Sequence, residues 1–297
     1  MGRLWCVRVL GAGLLALAVA WSGVVSPLPT TAVSSIPPPA GPGPVVRPIF
    51  VGDFETGNFS QWPNCQNVVV GTAQCSGLPP SHSMSVETSP VRQGNFAARF
   101  EVRHGESPAN ICCGDRAEVS GERASASYDG DERWYQWSTM FGPDFPAGQG
   151  WSTISQWHAE VDGPPPVFFA VGPTNVAAGR WGLVLSTRTG ATEMGPVYVP
   201  WSAPVVPGVW NDIKMHVKWS TRDDVGFVEL WHNGIPQRFT AEPCAHQTRC
   251  TVRTLIPGGG GVYFKQGYYR DPSITAPGVV FQDGFSMAAT EPGLAPL

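Results

Sequence analysis

The stretch Tyr263-Phe264-Lys265-Gln266-Gly267-Tyr268-Tyr269-Arg270 decides the reading of this chain. In a strand, side chains two apart share a face, so Tyr263, Lys265, Gly267 and Tyr269 lie together. Small Gly267 would leave room between Lys265 and Tyr269 for a ligand. Working outward, short alternating segments recur at Phe96–Val102, Arg116–Gly121, Arg133–Phe141, Ser152–His158, Arg180–Ser186, Trp210–Trp219, Gly226–His232, Gly261–Tyr269 and Val279–Met287. They have strand lengths and are separated by turn residues. Asn233-Gly234 carries a hairpin signal, and Gly258–Gly261 reads as a turn or a loop at a cleft edge. No segment keeps a helical apolar stripe for three turns, and no internal repeat is present. The expectation is one all-β domain over residues 49–290, an antiparallel β-sandwich or jelly roll, followed by a C-terminal tail at 291–297.

Composition agrees. The 297 residues include 35 Gly, 30 Pro and 12 Trp but only 14% charged residues, which argues against a helical bundle or coiled coil. A net charge of −4 supplies no electrostatic footprint for nucleic acid. Weak charge and many aromatics in a β protein fit sugar binding.

At the N-terminus, Arg3 and Arg8 flank a short basic segment. The apolar run Val9–Val25 follows, with Ala18-Val19-Ala20 as a small-x-small cleavage signal. This reads as a signal peptide at 1–26 and a secreted product without stable membrane insertion; an uncleaved anchor is the alternative, at the lower length limit for a span. Removing it takes away two positive charges and no acid. Residues 27–48 are a Pro-rich linker. Six cysteines remain beyond Cys6, allowing three disulfides. Cys244–Cys250 closes a short loop and is the safest pair. Cys112 and Cys113 are adjacent and are expected to bond elsewhere, with Cys65 and Cys75 as candidates.

Three segments place reactive side chains on common strand faces. Arg116, Glu118 and Ser120 share one; Gln156 and His158 share another, with Trp157 pointing away; Tyr263, Lys265, Gly267 and Tyr269 share the third. Any one such face can be solvated surface. Together they hold a proton acceptor, a phenol and several partners for a carboxylate.

These segments resemble jelly-roll polysaccharide lyases. Arg116-Ala117-Glu118-Val119, Gln156-Trp157-His158 and Tyr263-Phe264-Lys265-Gln266-Gly267-Tyr268-Tyr269 are similar, in order and approximate spacing, to three motifs of alginate lyases. Glucuronan lyases and heparin lyase I look closer over Gly52–Gly57 with Gln61-Trp62, Gly130–Tyr135, His216–Ser220 and Lys265–Arg270. The likeness spans most of residues 50–288. Trp157 departs from the aliphatic residue of alginate lyases, which puts alginate in doubt as substrate.

The resemblance implies a concanavalin A-like jelly roll that cleaves a uronic-acid polymer by β-elimination, with an acidic polysaccharide as partner and no catalytic cofactor. Arg116 and Gln156 would neutralise the uronate carboxylate with help from His158, because charge develops there as the C5 proton leaves. Tyr269 would protonate O4 and, for glucuronate or mannuronate, where H5 and O4 lie on one side, could also remove the C5 proton if Lys265, Arg116 and Arg270 lowered its pKa; for guluronate or iduronate, where they lie on opposite faces, His158 would be the base. Glu118, Tyr263 and Arg270 would contact substrate or orient these groups; core or solvent placement is open for Glu118. Asp53, Glu55 and Asp283 are candidate ligands for a structural Ca²⁺, or ordinary strand-end carboxylates. A monomer is expected. A lectin-like glycoside hydrolase would need two paired carboxylates, and Glu160-Val161-Asp162 lacks the third acid of the laminarinase pattern. A non-catalytic sugar-binding protein would not call for the Gln-x-His and Lys/Tyr pairs.

Overall fold

A computed structural model describes residues 47–109, 111 and 113–296. The expected signal peptide, nearly all of the linker, and Cys112 lie outside the described residues. In chain order the strands begin with β1 (Phe50–Gly52), β2 (Asn64–Asn67), β3 (Gly71–Gln74), β4 (Met84–Glu87), β5 (Ala97–Val102), β6 (Asp115–Ser120), β7 (Glu132–Phe141), β8 (Ser152–Ala159) and β9 (Val167–Val171). They continue with β10 (Arg180–Ser186), β11 (Val197–Pro204), β12 (Trp210–Lys218), β13 (Phe227–His232), β14 (Ile235–Pro236), β15 (Arg249–Thr251), β16 (Val262–Arg270) and β17 (Gly278–Ala288). All nine segments expected from alternation are strands, within two residues at each end. Asn233 and Gly234 both have positive φ between β13 and β14, as the tight hairpin requires.

The strands form two antiparallel sheets. The first runs β14-β13-β12-β7-β17-β5-β4, with β1 beside β17 and β15 beside β13. The second runs β11-β10-β9-β8-β16-β6-β2-β3. Their facing sides interdigitate through aromatic rings: Phe264 of β16 stacks on Phe285 of β17 at 4.2 Å, and Trp157 of β8 meets Tyr135 of β7 at 5.0 Å. Trp62, Trp137, Trp157, Trp181 and Trp219 are among the largest fully buried side chains. Much of the tryptophan excess therefore fills the sandwich core, where large rings contribute most to burial, instead of forming a sugar platform.

Cys244–Cys250 is bonded as expected. Cys65 pairs with Cys75, which overturns the expectation that these two serve Cys112 and Cys113. β2 and β3 form a hairpin with Cys65 opposite Ala73, so Cys75 reaches Cys65 locally. Cys113 is itself disulfide-bonded. The tail docks on the first sheet: Glu291 pairs with Lys214 and the Ala295 carbonyl accepts from Gln136.

Candidate active site

β16 lies between β8 and β6, and its register brings the three polar segments together. Tyr263 is opposite His158, and Lys265 is opposite both Gln156 and Ser120. Gly267 is opposite Glu118, and Tyr269 is opposite Arg116 on one side and Thr153 on the other. Directly opposed residues share a sheet face. This is the face of the second sheet turned away from the core.

At its floor is a buried polar network. Glu118 is fully buried; it accepts from Lys265 Nζ at 2.9 Å, Gln156 Nε2 at 2.6 Å and Arg116 Nη1 at 3.5 Å. Lys265 also donates to Gln66 Oε1 at 2.7 Å. Burial pushes the Glu118 carboxyl up, but Lys265 and Arg116 more than reverse this and hold it below its ordinary value. Burial lowers Lys265, opposed by Glu118. Arg116, Gln156 and Lys265 are all below one-tenth exposed, so they form a floor under the groups that reach solvent.

Those groups are His158, Tyr263 and Tyr269. His158 Nδ1 lies 2.6 Å from the Ala159 carbonyl, which can only accept. The Nδ1 proton is thereby assigned, and Nε2 keeps its lone pair. Burial, then the charge of Lys265, lowers the His158 pKa, so the ring is neutral at pH 7. Tyr263 stacks on His158 at 5.4 Å, and burial pushes its phenol up to about 12. The Arg116 guanidinium sits 3.7 Å over the Tyr269 ring, and the Tyr269 hydroxyl donates to the Cys113 carbonyl at 3.2 Å. For Tyr269 to act as the base, its cationic neighbours would have to lower its pKa. Burial outweighs Arg116 and raises it, so the phenol keeps its proton. Arg116 is felt by His158, Tyr263 and Tyr269 alike, which puts it at the electrostatic centre of the face.

Other expected residues lie elsewhere. Arg270 follows Tyr269 by one position and so takes the opposite face. It is fully buried, 4.0 Å from Asp115 and over the Tyr268 ring, away from any substrate. Gly267 does not make room for a ligand. Its φ is +141°, and a Cβ there would meet the Ala117 carbonyl at 2.3 Å, beside a register shift between β16 and β8. Asp53, Glu55 and Asp283 do not assemble as calcium ligands. Asp53 accepts from the Glu55 amide and Gln61, Glu55 from the Asn95 and Phe96 amides, and Asp283 from the Arg92 and Gln93 amides. Among the described residues no group of three His, Cys, Asp or Glu could hold a metal. Burial raises Asp283 to about 6.

Two contributors carried no sequence signal. Gln66 sits on β2, a four-residue polar strand that no alternation betrays. Trp151, edge-on to Tyr269 at 4.7 Å, lies just before β8 in an ordinary loop.

A family model described as polysaccharide lyase matches residues 54–286. The chain belongs to this family. The lyase matches no curated protein at a significant level. Its fold is similar to that of an endo-β-1,4-glucuronan lyase from the fungus Trichoderma reesei, with 15% identity, a TM-score of 0.61, and coverage of 84% of this chain and 100% of the other. An alginate lyase from Pseudomonas aeruginosa matches at 15% identity and TM-score 0.51 over 76% and 97% of the two chains. The catalytic domain of a family 131 glycoside hydrolase from Coprinopsis cinerea matches at 12% identity and TM-score 0.52 over 82% and 95%. At these identities the likeness is one of fold.

Proposed function

We propose that the lyase is exported and cleaves a glucuronan-like uronic-acid polymer by β-elimination. The observation that carries this reading is the pairing of protonation states on one open face. His158 is neutral with Nε2 available, Tyr269 keeps its proton, and two cations gather around one carboxylate beneath them. His158 Nε2 takes the C5 proton, and the C5–H electron pair becomes the C4–C5 double bond. The C4–O4 bond breaks, and Tyr269 delivers its proton to O4. Arg116 and Lys265 stabilise the charge that builds on the uronate carboxylate, within a site already partly withdrawn from water. Glu118 holds these cations in place, and Gln156 donates to Glu118.

Direction of approach separates the candidate uronates into two groups. His158 and Tyr269 rise from the same sheet face, which suits glucuronate and mannuronate, where H5 and O4 lie on the same side of the ring, over guluronate and iduronate, where they do not; Trp157, in place of the aliphatic residue of alginate lyases, favours glucuronate of the two. The fold likeness to a glucuronan lyase agrees with this. Export is supported by the disulfides Cys65–Cys75 and Cys244–Cys250, which persist in oxidising compartments.

The test is incubation of purified protein with glucuronan, alginate, heparin and hyaluronan. Ultraviolet absorbance of unsaturated uronates is expected from glucuronan. Tyr269→Phe should lose it by about 10²-fold or more, the usual contribution of a positioned acid. Saturated reducing ends would mean a hydrolase, and retention without turnover a binding protein.

A further inference from the structure

The register that builds the reactive face continues beyond it. Lys265 is opposite Ser120, Ser120 is opposite Asn64, and Asn64 is opposite Gln74. These four residues form one row across β16, β6, β2 and β3 on the same sheet face. At about 4.8 Å per strand the row spans about 14 Å. Its far end opens into a pocket of about 520 Å³ lined by Ser60, Asn64, Gln74, Ser76, Glu122 and Arg123 over Trp62.

The chemistry of this pocket is unspent. Among the described residues the side chains of Asn64, Gln74 and Ser76 make no hydrogen bond, and exposed Arg123 makes no ion pair. Carboxamides and hydroxyls match sugar hydroxyls, and a guanidinium fork matches a carboxylate. Glu122 is the exception: it accepts from Ser120 Oγ at 2.9 Å. It has a φ of +44°, a left-handed conformation that a non-glycine residue adopts at a cost. Its charge is felt by Tyr263 and Lys265, so the pocket and the reactive face are electrostatically continuous. The Cys65–Cys75 disulfide staples the hairpin that forms the pocket wall.

We infer that this pocket is a distal uronate-binding subsite, in which Arg123 takes a carboxylate and Asn64 and Gln74 take hydroxyls of a polymer lying across the strands. The inference rests on the lyase reading above. It makes the enzyme length-sensitive: a long oligouronate reaches Arg123, whereas a trisaccharide is largely used up over His158 and Tyr269.

The test compares wild type with Arg123→Gln on glucuronan oligosaccharides of three and eight residues. KM for the octasaccharide is expected to rise about tenfold, the loss of one charge-assisted hydrogen bond, with kcat and the trisaccharide values unchanged. Asn64→Ala should shift octasaccharide KM the same way, by less. An unchanged octasaccharide KM in Arg123→Gln overturns the subsite and leaves the lyase reading intact. If wild type forms no unsaturated product, the lyase reading fails by itself. Calorimetric binding of the octasaccharide to wild type and Arg123→Gln then decides the pocket, equal affinities overturning it.

Discussion

Two histidines sit on outward faces of the two sheets, and their surroundings are opposite in kind. His216 of β12 is held between two carboxylates, with Nδ1 2.7 Å from Glu229 and Nε2 2.7 Å from Glu132. It stacks on Trp134 at 4.1 Å and is 7% exposed. His158 of β8 spends only Nδ1, on the Ala159 carbonyl at 2.6 Å with the Tyr263 hydroxyl 3.3 Å away, and the charges around it are dominated by cations. Both rings are packed and aromatic-flanked. What separates them is the atom left over: His216 has both nitrogens committed to anions, while His158 keeps the lone pair of Nε2. A histidine tied at both nitrogens cross-links strands. One tied at a single nitrogen can move a proton.

The sharpest way to break this contrast is to substitute each ring. His158→Asn should lower kcat by roughly 10²- to 10⁴-fold with little effect on folding. The acid limb of wild-type activity should lie below the ordinary histidine range near 6.5, because the ring's pKa is lowered and only its neutral form accepts a proton. His216→Asn should leave kcat within about twofold while lowering unfolding free energy by about 1 kcal/mol, because His216 is buried but its partners Glu132 and Glu229 reach solvent. Equal losses of turnover in both variants would erase the distinction.

The floor beneath His158 gives the next effect. Lys265→Met leaves the fully buried Glu118 without its closest cation, and urea unfolding at pH 7 should register a loss of about 3–5 kcal/mol. Replacing Lys265 and Glu118 together by apolar residues should recover part of that stability but no activity, which separates a positioning role from a stabilising one.

A smaller effect comes from Asp283, on β17 of the first sheet. Its folded pKa of about 6 lies above the ordinary aspartate value of about 3.9. Its contribution to stability is therefore full below about pH 4 and is lost as pH rises through about 6, by about 3 kcal/mol in total. Unfolding at pH 4 and pH 7.5 should show this decline relative to Asp283→Asn, in which the slope disappears. An identical pH slope in the variant would show that Asp283 does not titrate there.

Much of the site was legible because strand parity is local. Gln156 with His158, and Lys265 with Tyr269, share faces through nothing more than the two-residue repeat of a strand. The same parity should have set Arg270 aside, since it follows Tyr269 by one. Burial of Tyr269 was not legible, and it outweighs the lowering that its cationic neighbours could have produced. Gln66, Asn64 and Gln74 escaped notice because β2 and β3 are four residues each and largely polar. Their alignment with the reactive face depends on pairing with β6 and on a disulfide that the adjacent cysteines had obscured.

The chain by itself therefore determined the β-sandwich, the boundaries of nine of the seventeen described strands to within two residues, and which side chains share a face within each of those nine. These follow from short-range alternation and turn chemistry. Tertiary structure decided how strands far apart in the chain align: Lys265 meets Glu118 across 147 positions, and Gln66 meets Lys265 across 199. It also decided which titratable groups lose water. Protonation follows from that desolvation and from charges brought in by other strands, and no single strand carries either.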